Sequence, residues 1–302
     1  MLYGAPVNDQ PLSPREIAAL AAIVLIWGVN NAAAEVATAV LPPLLAAALR
    51  FMLAAVLLAP FVRPPFPNPK SLAVIVLCGG PVHFGLVYLG FALVDDLSPY
   101  AVSLQLWIPF TALFAWLMLG ERLSRGALLG LVVAFAGIVY MTADPRAFRD
   151  WEGIAVGVLA SAAWALTTVV ARRTTSVPPL KMQGLIAAVS APVLLTGAFL
   201  FEPDPVQAVQ AATPLVWATI VWAALVSTVV ATGLLFWLVQ RRPAGRVTPY
   251  LLSTPIVSIA MGVTFLGDVL TPQILIGAAV TIGGVAVVAV AERGLRAGAS
   301  RS

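Results

Sequence analysis

The 302-residue chain holds one cysteine, one histidine and few charges of either sign. Cys78 alone cannot close an intrachain disulfide or build a thiolate cluster, and His83 alone cannot supply a His-based metal site. Redox and zinc chemistry have no residues to work with, so no cofactor is expected. Charged residues make up 10% of the chain, against roughly 25% in a soluble domain. Such a chain cannot clothe a water-exposed surface, and a mean hydropathy of +0.98 excludes disorder as well. The short alternating segments of a membrane β-barrel are also missing. Met1 to Pro14 lacks a basic segment followed by a small-residue cleavage site and reads as a cytoplasmic tail.

What is present is apolar length. Hydrophobic residues form 61% of the chain, and a bilayer-spanning helix needs about 20 of them in a row. Charges and prolines divide the sequence into ten such runs: 17–34, 43–62, 71–94, 98–119, 125–141, 151–171, 180–201, 213–239, 248–267 and 272–291. Of the 17 basic residues, 14 fall in the N-terminal tail, the even-numbered loops and the C-terminal tail; the exceptions are Arg50, Arg146 and Arg149. The odd-numbered loops are acidic, with Asp95, Asp96, Asp144, Asp150, Glu202, Asp204 and Asp268. This asymmetry places both termini in the cytoplasm. It also explains the pI near 9.6 without any nucleic-acid partner.

The chain repeats itself. Gly120-Glu121, Leu123-Ser124, Gly130 and Gly137 recur 147 positions later as Gly267-Asp268, Leu270-Thr271, Gly277 and Gly284. Upstream, Ser98-Pro99-Tyr100 answers Thr248-Pro249-Tyr250, Pro109 answers Pro255, Trp27 answers Trp164, and Pro42-Pro43-Leu44 answers Pro178-Pro179-Leu180. Five spans per copy is an odd number, so the second copy must cross the membrane in the opposite sense, as in many secondary transporters. The prediction is an all-α integral membrane protein of ten transmembrane helices in two inverted five-helix repeats. Its parts are a cytoplasmic tail 1–16, repeats 17–141 and 151–291, a periplasmic loop 142–150 between them, and a cytoplasmic tail 292–302.

Ile26-Trp27-Gly28, Arg50-Phe51-Met52-Leu53-Ala54-Ala55 and Gly120-Glu121-Arg122-Leu123-Ser124 resemble the EamA repeat of the drug/metabolite transporter superfamily. The resemblance spans about residues 15–292. The second copy departs from it, with Asp268 for the glutamate and no basic residue after it. Members of the family export amino acids, sugars, nucleotide precursors and drugs. Among them the chain is similar to the bacterial aromatic amino acid exporters, chiefly through its aromatic residues.

Depth separates candidate site residues from the rest, since ten residues of helix carry a side chain about 15 Å into the membrane. Trp116, Trp151, Trp217 and Trp237 lie near span ends and fit an interfacial belt. Trp27, Trp107, Trp164 and Trp222 lie deeper, as cavity lining or as helix packing. Tyr100 and Trp107 stand seven residues apart and would share a helix face. Pro109 and Pro255 would kink spans four and nine, and Gly79-Gly80-Pro81 would loosen span three. His83 is an intramembrane ionisable group sharing a face with Val87 and Gly90, with Tyr88 just beside it, and Asn30 and Asn31 are strong polar groups inside span one. Tyr250 and Ser253 complete the candidate set on span nine. Arg50 could snorkel outward, pair with Glu35 or attract a carboxylate.

The leading expectation is an inner-membrane exporter of small amphipathic metabolites, chiefly aromatic and other amino acids, working by alternating access around an aromatic cavity. Its partners are the solute and membrane lipid; monomer and dimer remain open. Besides His83, only Glu35 and Arg50 ionise clearly inside the spans, which favours a facilitator over a carboxylate-coupled proton antiporter. The alternatives are another solute class, proton-coupled through His83, or an intramembrane enzyme. The last would need paired aspartates, a Ser/His arrangement or a metal motif at depth, and the sequence offers none.

Overall fold

A computed structural model describes residues 12–66, 68–120, 125–171, 177–239 and 250–299, which form helices and connecting turns with no strand among them. Glu121 to Ser124, Arg172, Arg173, Arg241, Arg242, Arg246, Thr248-Pro249 and Arg301 lie outside the described residues. Among the described residues, eight helices are long and apolar enough to cross a membrane: Pro14–Thr38, Pro43–Phe61, Pro69–Ala92, Leu97–Met118, Arg125–Thr142, Trp151–Ala171, Pro179–Phe201 and Pro214–Leu235. They are spans 1 to 8. Spans 9 and 10 are the shorter apolar stretches Thr254–Leu266 and Pro272–Val288, the last continuing as helix to Ala299.

Local sequence sets the helix ends. Ser13 caps span 1 in a capping box with Glu16, whose carboxylate accepts from the Ser13 backbone N–H at 2.7 Å. Prolines open spans 1, 2, 3, 7 and 8, where the missing N–H would have had no helical partner. Spans 4 and 9 end at Gly120 (φ 66°) and Gly267 (φ 86°), the left-handed cap that glycine adopts without strain. These two glycines are repeat equivalents.

The packing obeys the same exchange. Spans 2 and 7 pack on each other, as do spans 5 and 10, each pair being one helix and its equivalent. Span 3 packs on span 6 as span 8 packs on span 1, and span 4 on span 6 as span 9 on span 1. Swapping the repeats therefore maps the contacts onto themselves, the signature of inverted repeats about a pseudo-two-fold axis. The interruptions match as well. Span 3 has a π-type turn at Cys78–Val82 and span 8 one at Trp222–Ala231. Span 4 tightens to 3-10 geometry at Leu104–Leu106, and span 9 is broken by a turn at 252–253. Pro109 and Pro255 sit just after the last two breaks, where each withholds a backbone donor.

On the face carrying the acidic loops, carboxylates tie the repeats together. Glu202 accepts from the N–H groups of Leu44 (2.6 Å) and Leu45 (3.0 Å) at the start of span 2. Asp268 accepts from Leu97 (3.1 Å) and Ser98 (2.8 Å), and from the Ser98 hydroxyl, at the start of span 4. Asp150 accepts from Asp95 and Asp96 beside it. Each carboxylate satisfies otherwise unpaired N–H groups at or beside a helix start; those of Glu202 and Asp268 also oppose its positive dipole end. Burial pushes Glu202 and Asp150 above the usual carboxylate range, against the pull of those hydrogen bonds. Asp144 moves the other way, lowered first by the Thr271 hydroxyl that donates to it at 2.6 Å.

Candidate functional site: a cavity between the repeats

A cavity of about 140 Å³ lies between the repeats. Its wall draws Trp27, Asn30 and Asn31 from span 1, Arg50 from span 2, and His83, Phe84, Val87, Tyr88 and Phe91 from span 3. Leu104, Gln105 and Trp107 come from span 4, Trp164 from span 6, Gln183 from span 7, Ser227 and Thr232 from span 8, and Thr254 from span 9. Spans 5 and 10 contribute nothing to this wall and form a separate pair at the side.

The break in span 3 is what brings His83 to the wall. Gly80 is outside helical geometry (φ −111°, ψ −106°), and Pro81 has no N–H to give. Gly79 packs against Thr167 of span 6 and Gly80 against Ser190 of span 7, approaches that a larger residue would block. Just past the break, His83 Nδ1 stands 2.8 Å from the Ala160 carbonyl oxygen of span 6. A carbonyl only accepts, so Nδ1 carries the hydrogen and Nε2 is the acceptor of the neutral ring. The His83 and Trp164 rings are 4.9 Å apart between centroids, and Phe84 meets both edge-on at 4.6 and 6.2 Å.

The polar half of the wall is short of partners. Asn30 Oδ1, Tyr88 Oη, Gln183 Oε1 and Thr254 Oγ1 are buried with no hydrogen-bond partner among the described residues. All four residues line the cavity, and since buried polar groups are normally satisfied, four such atoms around one small volume mark a place suited to polar atoms. Arg50 does not snorkel: it is 4% exposed, with Nε donating to Thr228 Oγ1 at 2.9 Å and its guanidinium 4.8 Å from the Phe84 ring centre. Asn31, by contrast, is taken up by a 3.0 Å bond to Ser258 that ties span 1 to span 9.

Of the residues singled out from sequence, His83, Trp107, Trp164, Asn30 and Tyr88 meet at this cavity together with Trp27, Asn31 and Arg50, whereas Trp222, Tyr100, Tyr250 and Ser253 do not line it. Tyr100 is fully buried, its hydroxyl donating to the Val87 carbonyl at 2.8 Å and its ring filling the space beside Gly90 and Gly157. The 3-10 turn at Leu104–Leu106 lies between it and Trp107. Tyr250 and Ser253 are exposed at the irregular start of span 9. Gln105 and Gln183 went unnoticed, although an amide inside an apolar run is a readable signal. Trp116 and Trp151 are half exposed, as a lipid-facing belt requires.

Comparison with known proteins agrees with this architecture. The EamA-like transporter family matches twice, at residues 15–143 and 151–290. An uncharacterized transporter, YvbV, of Bacillus subtilis (strain 168) is 29% identical over 273 residues, covering 85% of this chain and 86% of that protein. A probable amino-acid metabolite efflux pump of Salmonella typhimurium is 26% identical over 274 residues, 87% of this chain and 90% of that one. A crystal structure shares the fold at a TM-score of 0.64 and 20% identity, over 94% of this chain and 99% of its own. With both repeats matched along nearly the whole length, the chain belongs to the EamA-like transporter family and is a multi-pass membrane transporter, not an enzyme.

Proposed function

We propose that the protein exports amino acids, aromatic ones above all, from the cytoplasm by alternating access through the cavity between its repeats. The observation that carries this reading is the wall itself. Trp27, Phe84, Trp107 and Trp164 form its apolar side, and Asn30, Tyr88 and Gln183, each with an unpaired buried polar atom among the described residues, line the same small volume. An apolar cavity of roughly 150 Å³ holds one benzene ring. At about 140 Å³ this one suits a single-ring metabolite better than a bulky drug. The name of the Salmonella relative points to the same solute class.

The machinery for movement is symmetric. Breaks at equivalent places in spans 3 and 8, and again in spans 4 and 9, supply hinges in both repeats. Closing the acidic face with Glu202, Asp150 and Asp268 while the opposite face opens, then reversing, passes a solute across. The charge asymmetry of the loops supports an inner-membrane protein with both termini in the cytoplasm and residues 142–150 outside. It fits repeats at 17–141 and 151–291 with tails at 1–16 and 292–302. No carboxylate lines the cavity among the described residues, which supports transport down the solute gradient.

The test is efflux of labelled phenylalanine, glucose and uridine from proteoliposomes. Phenylalanine should leave faster than from protein-free vesicles, and adding a protonophore should not stop it. Efflux of glucose or uridine alone would assign another solute class. Efflux that ceases when the pH gradient collapses would make His83 the proton carrier.

A further inference from the structure

Among the described residues, Arg50 is the one permanently charged group in the cavity wall, and none of them neutralises it. A guanidinium keeps its charge at any physiological pH and carries five N–H donors. Two are used here, one on the Thr228 hydroxyl at 2.9 Å and one on the Ser227 hydroxyl at 3.4 Å. Both partners are neutral, as is the Phe84 ring beneath the guanidinium. No carboxylate pairs with it among the described residues, Glu35 included. A buried cation with spare donors and no counter-charge is costly unless something anionic joins it.

We propose that Arg50 is the solute's carboxylate anchor and sets the transporter's preference for acids over their amides and amines. The inference rests on the amino-acid reading of this cavity and assigns the residue that recognises the acid end. Chemistry around Arg50 completes the picture. The Ser227 and Thr228 hydroxyls fix the guanidinium from behind, so its remaining N–H groups need no reorganisation to meet a carboxylate, the planar fork being suited to two parallel bonds. The buried acceptors Asn30 Oδ1 and Gln183 Oε1 lack donors, which an ammonium group supplies. A zwitterion thus satisfies both kinds of unpaired group at once, with its ring toward Trp164.

A purely structural Arg50, serving only to tie span 2 to span 8, would be indifferent to the charge of the solute. Binding to the purified full-length protein separates the two, using phenylalanine, 3-phenylpropionate (acid without amine) and phenylalaninamide (amine without acid). Wild type should bind both acids at least about tenfold more tightly than the amide, the scale of one charge-assisted contact. R50Q should erase that preference by losing affinity for the acids alone, and R50K should restore part of it. Thermal unfolding checks that each variant is folded, and the wild-type comparison stands even if neither variant folds. Amide binding equal to phenylalanine, acid preference retained in R50Q, or no binding of any of the three overturns the proposal. Arg50-dependent binding of 3-phenylpropionate without binding or transport of phenylalanine keeps the anchor and rejects the amino-acid reading. Phenylalanine transport and acid preference unchanged in R50Q does the reverse.

Discussion

The imidazole of His83 and the indole of Trp164 face each other with centroids 4.9 Å apart and planes 34° from parallel. One comes from the broken span of the first repeat and the other from the opening span of the second, so this contact joins the halves at the cavity wall. Since His83 Nδ1 is held by the Ala160 carbonyl, the ring is fixed in place. His83→Gln should raise the KM for phenylalanine by roughly 2–12-fold, the worth of about 0.5–1.5 kcal/mol of ring contact, with a smaller change in kcat. Its efflux should stay insensitive to a protonophore. Kinetics in proteoliposomes with and without the protonophore check both points.

A second expectation concerns the pair formed by spans 5 and 10. A methyl added at Gly284 would stand 2.8 Å from the Gly130 carbonyl oxygen, and one at Gly137 would stand 2.8 Å from that of Gly277. Under exchange of the repeats these two contacts are the same contact. Backbone cannot yield as a flexible side chain does, so Gly284→Ala and Gly137→Ala should each cost about 1–3 kcal/mol. Gly283→Ala meets nothing within 4 Å and should be neutral or stabilising, by up to about 1 kcal/mol of helix propensity. Thermal unfolding in one detergent compares the three.

The acidic face carries a pH signature. Asp144 is held below the usual carboxylate range, first by Thr271 and then by backbone N–H groups including that of Arg146. A carboxylate lowered by folding adds stability above its unfolded pKa and loses it as pH falls through the folded value. Thr271→Val should therefore lower stability by about 1 kcal/mol at neutral pH. Its deficit against wild type should shrink once the pH drops below the ordinary aspartate value of about 3.9. Melting curves between neutral and acid pH follow the difference.

Orientation is open to direct labelling. In a Cys78→Ser background, a cysteine replacing exposed Arg149 should react with an impermeant maleimide added to intact cells, and one replacing exposed Arg63 should not. Ala147, in the same loop as Arg149, is fully buried and unsuitable as a probe. The reverse labelling pattern would contradict the cytoplasmic placement of both termini.

The spans and the repeat were legible because hydropathy and the Gly-acid motif are properties of short stretches of chain. His83 and Trp164 could be found by depth alone, since a polar or large aromatic side chain at mid-membrane needs a reason to be there. Tyr100 could not be placed, because the contacts that bury it, the Val87 carbonyl and the close approaches at Gly90 and Gly157, come from spans 3 and 6 and leave no mark in the spacing along span 4. Arg50 was ambiguous for a related reason. Whether a long cationic side chain snorkels or turns inward depends on what neighbouring helices offer, here two hydroxyls and a phenyl ring from spans 8 and 3. Asp268 is readable as a helix-capping carboxylate at a span end, but which helix starts Glu202 and Asp268 cap is not, because their partners lie about 158 and 170 residues away in the chain.

The central claim is that an aromatic solute passes through the wall formed by Trp107 and Trp164, one from each repeat. Phenylalanine efflux from proteoliposomes containing Trp107→Ala or Trp164→Ala, set beside efflux of a small aliphatic amino acid and beside thermal unfolding, tests it most directly. Loss of one ring contact should reduce phenylalanine transport by roughly 2–12-fold or more at unchanged fold stability, with the aliphatic solute affected less. Stable variants that move phenylalanine at the wild-type rate, or that lose both solutes equally along with stability, would contradict it and leave these tryptophans as packing residues.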